Sequence, residues 1–210
     1  MRILLVLSAM LVFTGIALSE QSTLGVNLSL GIPVGDFAST TNDEAGMALT
    51  GVDIGLDYTN PWKENLYWGL LINLGSNAVD KSPIEKDLPG AKVTVDYWSH
   101  LLLMAKGGRS FKISDNLAAH GEILLGIMRA ATPEIKAETS TLIYTQSSGS
   151  GSSVAYGFGG NIIYKNRLDL GLKYCYGNPE FKLESYTGNK YTIHQHTSLV
   201  FISVGYLFHL

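Results

Sequence analysis

The carboxyl-terminal end of this 210-residue chain has an apolar residue at every second position. The stripe comprises Ile202, Val204, Tyr206, Phe208 and Leu210. Chain ends are usually polar and frayed, whereas a strand that closes a cylinder in lipid needs one continuous hydrophobic face. The stripe therefore favours a terminal β-strand with one side against lipid.

Seven more segments alternate in the same way, and with the terminal one they predict eight strands. They span residues 24–32, 51–58, 67–75, 97–107, 117–128, 154–164 and 168–176. An even number of strands returns both chain ends to one side of a membrane, as closure requires. We therefore expect an all-β fold, an eight-stranded antiparallel up-and-down transmembrane β-barrel.

The connections between these segments alternate in length. Three are short and carry turn-forming residues, and four are long and polar; the short ones cover 60–65, 109–116 and 165–167, and the long ones cover 33–45, 77–94, 129–152 and 178–195. Short periplasmic turns and longer extracellular loops are typical of outer-membrane barrels. The pattern predicts which end of the barrel faces the outside.

Residues 1–19 have the features of a secretory signal peptide. Arg2 gives a basic start, an apolar stretch follows, and the small residues Ala17 and Ser19 precede Glu20. We expect cleavage after Ser19 and one barrel domain over residues 20–210. An uncleaved anchor is less consistent with the sequence, because the apolar run is short for a spanning helix.

The composition argues against nucleic acid as a partner. It also indicates a surface with few charged side chains. The formal net charge is -3, so the chain has no basic footprint for nucleic acid. Charged residues are 16% of the chain, against roughly 25% in an ordinary soluble domain. Cys175 is the only cysteine, so no intramolecular disulfide can form.

A soluble lipocalin-like ligand carrier has the same strand period with the opposite sense, apolar inside and polar outside. The less apolar face of these strands is rich in Gly, Asn and Ser, which suits a crowded small-barrel interior better than a surface in water. Aromatic residues near both ends of the strands predict two girdles at the membrane interfaces. The predicted girdle residues are Tyr58, Trp62, Trp68, Tyr97, Trp98, Tyr156, Tyr164, Tyr176 and Phe208.

The strand phase predicts a polar network inside the barrel, although the phase of the fourth strand is the least determined. The predicted lumen residues are Asp53, Asp57, His100, Lys106, His120, Glu122, Asp169 and Lys173. Unpaired buried charges are costly, so these side chains should pair. The interior of an eight-stranded barrel is filled by its own side chains, so we expect a plugged lumen, no cofactor and no metal.

One short motif raises an enzymatic alternative. His196 and Ser198 lie two residues apart and so share a strand face, and a histidine can activate a serine hydroxyl. The segment resembles the His-x-Ser-Asn motif of outer-membrane lipid A deacylases, but Leu199 replaces the asparagine. His194 and His196 alone would supply only half of the ligands that a metal site needs. We expect a non-enzymatic protein, with a lipid-modifying enzyme using His196 and Ser198 as the alternative.

The chain as a whole resembles the outer-membrane protein β-barrel superfamily of small porin-like proteins, and is similar to the transmembrane domain of outer membrane protein A. The first strand runs into Pro33-x-Gly35-Asp36-Phe37, a pattern reminiscent of such domains. The ending also resembles their carboxyl-terminal assembly signal, with Leu210 where a terminal aromatic is usual. The residues that would form this signal are Val204, Gly205, Tyr206, Phe208 and Leu210.

The resemblance implies a location and a set of partners. The location is the outer membrane of a Gram-negative cell envelope. The partners are the lipid bilayer and lipopolysaccharide, the barrel-assembly machinery acting on the terminal strand, and an extracellular ligand at the loops. Members of this superfamily differ in role, so the fold alone does not determine the activity.

Overall fold

The structure, a computed structural model, describes residues 22–41, 45–139, 143–184 and 190–210. The predicted signal peptide lies outside the described residues. A 3-10 turn covers Gly35–Phe37 and one short helix, α1, covers Ser82–Asp87. The strands are β1 (Thr23–Val34), β2 (Ala48–Lys63), β3 (Leu66–Val79), β4 (Lys92–Val95), β5 (Trp98–Ser114), β6 (Leu117–Ala131), β7 (Ile135–Glu138), β8 (Ile143–Gln146), β9 (Ser150–Tyr164), β10 (Leu168–Gly177), β11 (Glu180–Glu184), β12 (Lys190–His194) and β13 (Thr197–His209).

Eight of these strands form a closed antiparallel barrel in the order β1-β13-β10-β9-β6-β5-β3-β2. The first and last strands close the cylinder, with Leu24 opposite Phe208 and Leu30 opposite Ile202. Closure gives every barrel strand two neighbours and so leaves no open sheet edge for lipid to face. The predicted fold class is confirmed.

The outer wall of the barrel is apolar because each strand turns alternate side chains outward. On β6, Ile123 and Leu125 are 71% and 63% exposed, whereas the intervening Leu124 is 3% exposed. The same alternation runs along the other barrel strands. A continuous apolar belt around a closed cylinder would be unstable in water, and it matches the hydrocarbon core of a membrane.

Several barrel strands are longer than the sequence pattern predicted. β5 continues to Ser114 instead of ending near residue 107, because its pairing with β6 extends to Ser114 and Leu117. The predicted short connection 109–116 is therefore mostly strand.

The predicted long polar loops contain further folded structure. β4, β7 and β8 form a three-stranded sheet, and β11 pairs with β12 as a hairpin. These strands were not predicted because each has only four or five residues and lies within a polar segment, although β11 buries Phe181 and Leu183. The long-loop end of the molecule is thus a folded extension of the barrel.

Within the described part of the chain, no helix has the length and apolar content needed to cross a membrane.

Candidate functional site

Four buried charged side chains meet in the barrel interior and form what we call the lumen quartet: Asp57, Lys106, Glu122 and Lys173. Lys106 pairs with Asp57, and its Nζ lies 3.6 Å from Glu122 Oε2. Lys173 Nζ lies 3.2 Å from Glu122 Oε1 and 3.5 Å from Asp57 Oδ2. Each lysine therefore contacts both carboxylates, and the two positive and two negative charges balance.

The quartet draws on four different strands, and two glycines make room for it. Gly159 of β9 lies directly between Glu122 and Lys173 in the register. A Cβ at Gly159 would lie 2.7 Å from Lys173 Cγ, and one at Gly69 would lie 2.6 Å from Lys106 Cε. The inward glycines thus leave the space that the long lysine side chains occupy.

Two hydroxyl groups add hydrogen bonds to the quartet. The Tyr67 hydroxyl donates to Glu122 Oε2 at 3.3 Å, and Thr59 Oγ1 donates to Asp57 Oδ1 at 3.1 Å. Tyr67 was missed by the sequence analysis, although its position on the inward face of the third strand was a usable signal. These donors matter because a buried carboxylate needs hydrogen bonds as well as a counter-ion.

A second buried pair lies nearer the long-loop end. His100 Nε2 is 2.5 Å from Asp53 Oδ1, and the Asn73 amide donates to the same oxygen at 3.4 Å. Gly31 and Gly75 flank the Asp53 carboxylate, and a Cβ at either position would collide with it. A carboxylate can approach the wall this closely only where the facing residue lacks a side chain.

The other two predicted lumen residues lie apart from the quartet, toward the short-turn end. Asp169 is buried and accepts a hydrogen bond from Asn161 Nδ2 at 2.8 Å. His120 is half-buried, and its ring lies 4.9 Å from that of Tyr67. A cavity of about 280 Å³ at this end is lined by Tyr67, His120 and His209 among others.

An aromatic plug, made of Phe37, Trp98 and Phe181, fills the opposite end of the lumen. The Trp98 ring lies 5.3 Å from Phe37 and 5.8 Å from Phe181, in edge-to-face contacts. Trp98 Nε1 donates to the carbonyl of Gly46 at 2.8 Å. Loop residues therefore supply two of the three rings that cover the lumen.

One residue that was predicted to lie in a girdle belongs to this plug instead. Trp98 is buried at the barrel mouth and was wrongly assigned to the lipid interface. It shares a strand face with His100, so the phase that turns His100 inward also turns Trp98 inward, while the adjacent Tyr97 is exposed.

Tyr58 also departs from the predicted girdle. It occupies an outward strand position but is 3% exposed, because its ring packs edge-on against Trp68 and its hydroxyl donates to Ser22 Oγ at 3.3 Å. Tyr176 is half-buried against Tyr156, with ring centroids 5.2 Å apart. The remaining predicted girdle residues are exposed at the two ends of the barrel wall: Trp62, Trp68, Tyr97, Tyr156, Tyr164 and Phe208.

The His196 and Ser198 motif lies at the long-loop end of β13. His196 Nδ1 is 3.2 Å from Asp36 Oδ2, an acid that the sequence analysis did not associate with it. Ser198 is 8% exposed, and its Oγ accepts a hydrogen bond from the Tyr174 hydroxyl at 3.4 Å. His194 is exposed, with Nε2 4.0 Å from Glu180. Among the residues that the structure describes, no group of three or more His, Cys, Asp or Glu side chains could hold a metal.

The carboxyl-terminal stripe lies along the outer wall. Val204, Tyr206, Phe208 and Leu210 are exposed, whereas Gly205 is half-buried on the inner face. The Leu210 amide donates to the Ser22 carbonyl at 3.0 Å. The last residue is thereby tied to the start of the barrel.

Solved structures with a similar fold include several bacterial outer-membrane proteins. A major outer membrane protein from Thermus thermophilus is 12% identical, over 89% of this chain and 99% of that chain, with a TM-score of 0.58. Neisserial surface protein A is 10% identical, over 91% and 98%, with a TM-score of 0.51. The attachment invasion locus protein Ail of Yersinia pestis is 15% identical, over 90% and 98%, with a TM-score of 0.47. No protein-family model and no curated protein matches the sequence.

At these low identities, the two structures with TM-scores above 0.5 bear on the fold alone, and that fold agrees with the geometry of the molecule. A closed antiparallel barrel with an apolar belt, short turns at one end and folded extensions at the other defines an integral outer-membrane β-barrel. The protein therefore has the fold of a small outer-membrane β-barrel. In barrels of this kind, the short turns face the periplasm and the long loops face outside.

Proposed function

We propose that the protein is a non-enzymatic outer-membrane barrel that acts in surface recognition or membrane integrity through its extracellular loops. The observation that carries this proposal is the folded extension at the long-loop end, where β4, β7 and β8 form a sheet and β11 pairs with β12. Ordered loops offer a partner a surface whose conformational entropy has already been lost, which favours binding.

The filled lumen supports an anchoring role for the barrel. The lumen quartet occupies the middle of the interior, and the aromatic plug covers its outer end. Such an interior is suited to stability and poorly suited to the diffusion of solutes. We therefore expect no steady conductance from the protein in a planar bilayer bathed in potassium chloride.

The proposal is tested by removing one part of the extension. In one variant, residues 180–194 are replaced by a Gly-Ser turn that joins β10 to β13. We expect the full chain in vesicles to bind at least one component of a panel of surface glycans, lipopolysaccharide and extracellular-matrix proteins, and the variant to lose that binding. Heat-modifiable gel migration checks that the variant barrel is folded. Equal binding by both proteins, or a large steady conductance, would contradict the proposal.

A lipid-modifying activity is the second candidate, favoured by the position of Asp36 beside His196. A histidine held by a carboxylate can act as a general base. The burial of Ser198 and its hydrogen bond from Tyr174 argue against a presented nucleophile. Alanine at His196 and at Ser198, followed by mass spectrometry of lipid A, separates the two candidates: an altered lipid profile would support the enzyme.

Two further partners follow from the same proposal. Lipopolysaccharide would meet the outer rim of the barrel, and the barrel-assembly machinery would act on β13, whose outer face carries Val204, Tyr206, Phe208 and Leu210. Replacement of Phe208 and Tyr206 by serine should slow membrane assembly in cells, as measured by the fraction of heat-modifiable protein.

A further inference from the structure

Basic and aromatic side chains are paired around the short-turn rim of the barrel. Lys63 Nζ lies 5.6 Å from the Trp62 ring, Arg109 Cζ lies 5.3 Å from the Phe111 ring, and Lys165 Nζ lies 5.3 Å from the Tyr164 ring. In a fourth pair, Arg167 Nη1 donates to the Tyr206 hydroxyl at 3.2 Å. The same combination therefore occurs four times on one rim, with at least one pair near each of the three short turns.

The aromatic member of each pair lies on the outer surface. Trp62, Phe111, Tyr164 and Tyr206 are between 43% and 66% exposed. Aromatic rings at the end of a transmembrane belt lie at the level of the lipid headgroups. A cation held beside such a ring is therefore at the depth of the lipid phosphates.

Charge is distributed unevenly between the two ends of the barrel. Among the described residues, the short-turn rim has five basic and two acidic side chains: Lys63, Arg109, Lys112, Lys165 and Arg167, with Glu64 and Asp115. The acidic Asp115 is paired with Lys112 at 2.7 Å. The described part of the long-loop end instead has nine acidic and seven basic side chains. The positive excess is thus confined to the rim in the periplasmic leaflet.

Two of the basic side chains share one cleft. Lys63 and Arg109 line a cavity of about 560 Å³ together with Glu64, Asn65 and Leu66. The cleft lies where the turn between β2 and β3 meets β5, and the Asn65 carbonyl accepts a hydrogen bond from the Ser110 amide at 2.7 Å. Two cations, one carboxylate and one amide leave the cleft with a net positive charge.

We propose that the short-turn rim binds the phosphate headgroups of anionic phospholipids in the periplasmic leaflet, with the cleft of Lys63 and Arg109 as its principal site. Charge complementarity selects an anionic headgroup over a zwitterionic one. The four exposed rings favour a lipid over an acidic periplasmic protein, because they place each cation at the membrane interface. This inference does not depend on the role of the extracellular loops.

The test uses the full chain in detergent micelles, titrated with dihexanoyl phosphatidylglycerol or dihexanoyl phosphatidylcholine and followed by native mass spectrometry. The wild type should bind the phosphatidylglycerol more tightly than the phosphatidylcholine. Lys63→Gln with Arg109→Gln should weaken that binding about fivefold for each cation removed and leave the choline lipid unaffected. A matched control, Lys92→Gln with Lys182→Gln, removes two positive charges from the long-loop end and should change binding by less than about twofold.

Two further variants keep the test decisive. Lys165→Gln with Arg167→Gln should cause a smaller loss, because these cations lie outside the cleft, and Lys63→Arg should retain binding. Heat-modifiable migration confirms that each variant is folded before titration. Equal binding of the two lipids by the wild type, or an equal loss in the long-loop control, would overturn the proposal.

Discussion

The lumen quartet predicts that loss of a single buried lysine destabilises the whole barrel. Lys106→Met keeps most of the side-chain volume but removes the ammonium group that contacts Asp57 and Glu122. Lys173 alone would then face both carboxylates. The Lys106 side chain is 2% exposed and that of Glu122 is 1% exposed, so water cannot replace the missing charge.

The magnitude follows from this burial. Removing one partner of a buried ion pair typically costs about 3–5 kcal/mol, because the other charge is left uncompensated. We expect a decrease of about 3–5 kcal/mol in the free energy of unfolding. The matched control is Lys112→Met at the rim, where Lys112 and Asp115 are 74% and 93% exposed. An exposed pair of this kind contributes at most about 1 kcal/mol.

The assay is equilibrium urea unfolding in lipid vesicles, read from tryptophan fluorescence and from heat-modifiable migration. A double variant, Lys106→Met with Glu122→Gln, restores charge balance and leaves Asp57 with Lys173. It should recover at least half of the lost stability. If Lys106→Met behaves like Lys112→Met, or if the double variant is no more stable than the single one, the quartet does not act as a balanced charge cluster.

Two other predictions concern packing inside the barrel. Gly75→Ala should destabilise the barrel by about 1–3 kcal/mol in the same urea titration, because its Cβ would lie 2.8 Å from His100 Cε1 and against Asp53. The control is Gly107→Ala, where a Cβ meets nothing within 4 Å. It should change the free energy of unfolding by less than about 0.5 kcal/mol. Trp98→Ala with Phe181→Ala removes two rings of the plug, yet it should produce no steady conductance in a planar bilayer, since the quartet still fills the lumen. A conducting double variant would show that the plug alone closes the barrel.

The barrel could be predicted from sequence because lipid imposes a strict period of two on every strand. The same period predicted inward positions for Asp57, Lys106, Glu122 and Lys173, which belong to four different strands. It could not identify their partners, because which residues meet across a lumen depends on register and strand tilt. The quartet as a closed unit therefore emerged only from the structure.

Other features could not be predicted, because the sequence pattern around them was misleading or gave no signal. Trp98 was misassigned because a tryptophan near a strand end is typical of an interface, although its strand phase turns it inward. Asp36 and His196 lie 160 positions apart, and no spacing rule links a 3-10 turn to the start of the last strand. The strands β4, β7 and β8 pair with each other above the membrane, where no apolar face is required.

The lumen quartet also has a consequence for the order of assembly. Its members come from β2, β5, β6 and β10. Lys106 and Glu122 lie on neighbouring strands, but Asp57 and Lys173 lie on β2 and β10 and meet only when the sheet has curled across the lumen. A half-formed sheet in the bilayer would lack the Asp57–Lys173 contact and leave these charges incompletely paired, and each charge exposed to the hydrocarbon core costs about 2.5–3.5 kcal/mol. Partly closed intermediates are thereby penalised, and insertion and closure become a single cooperative event.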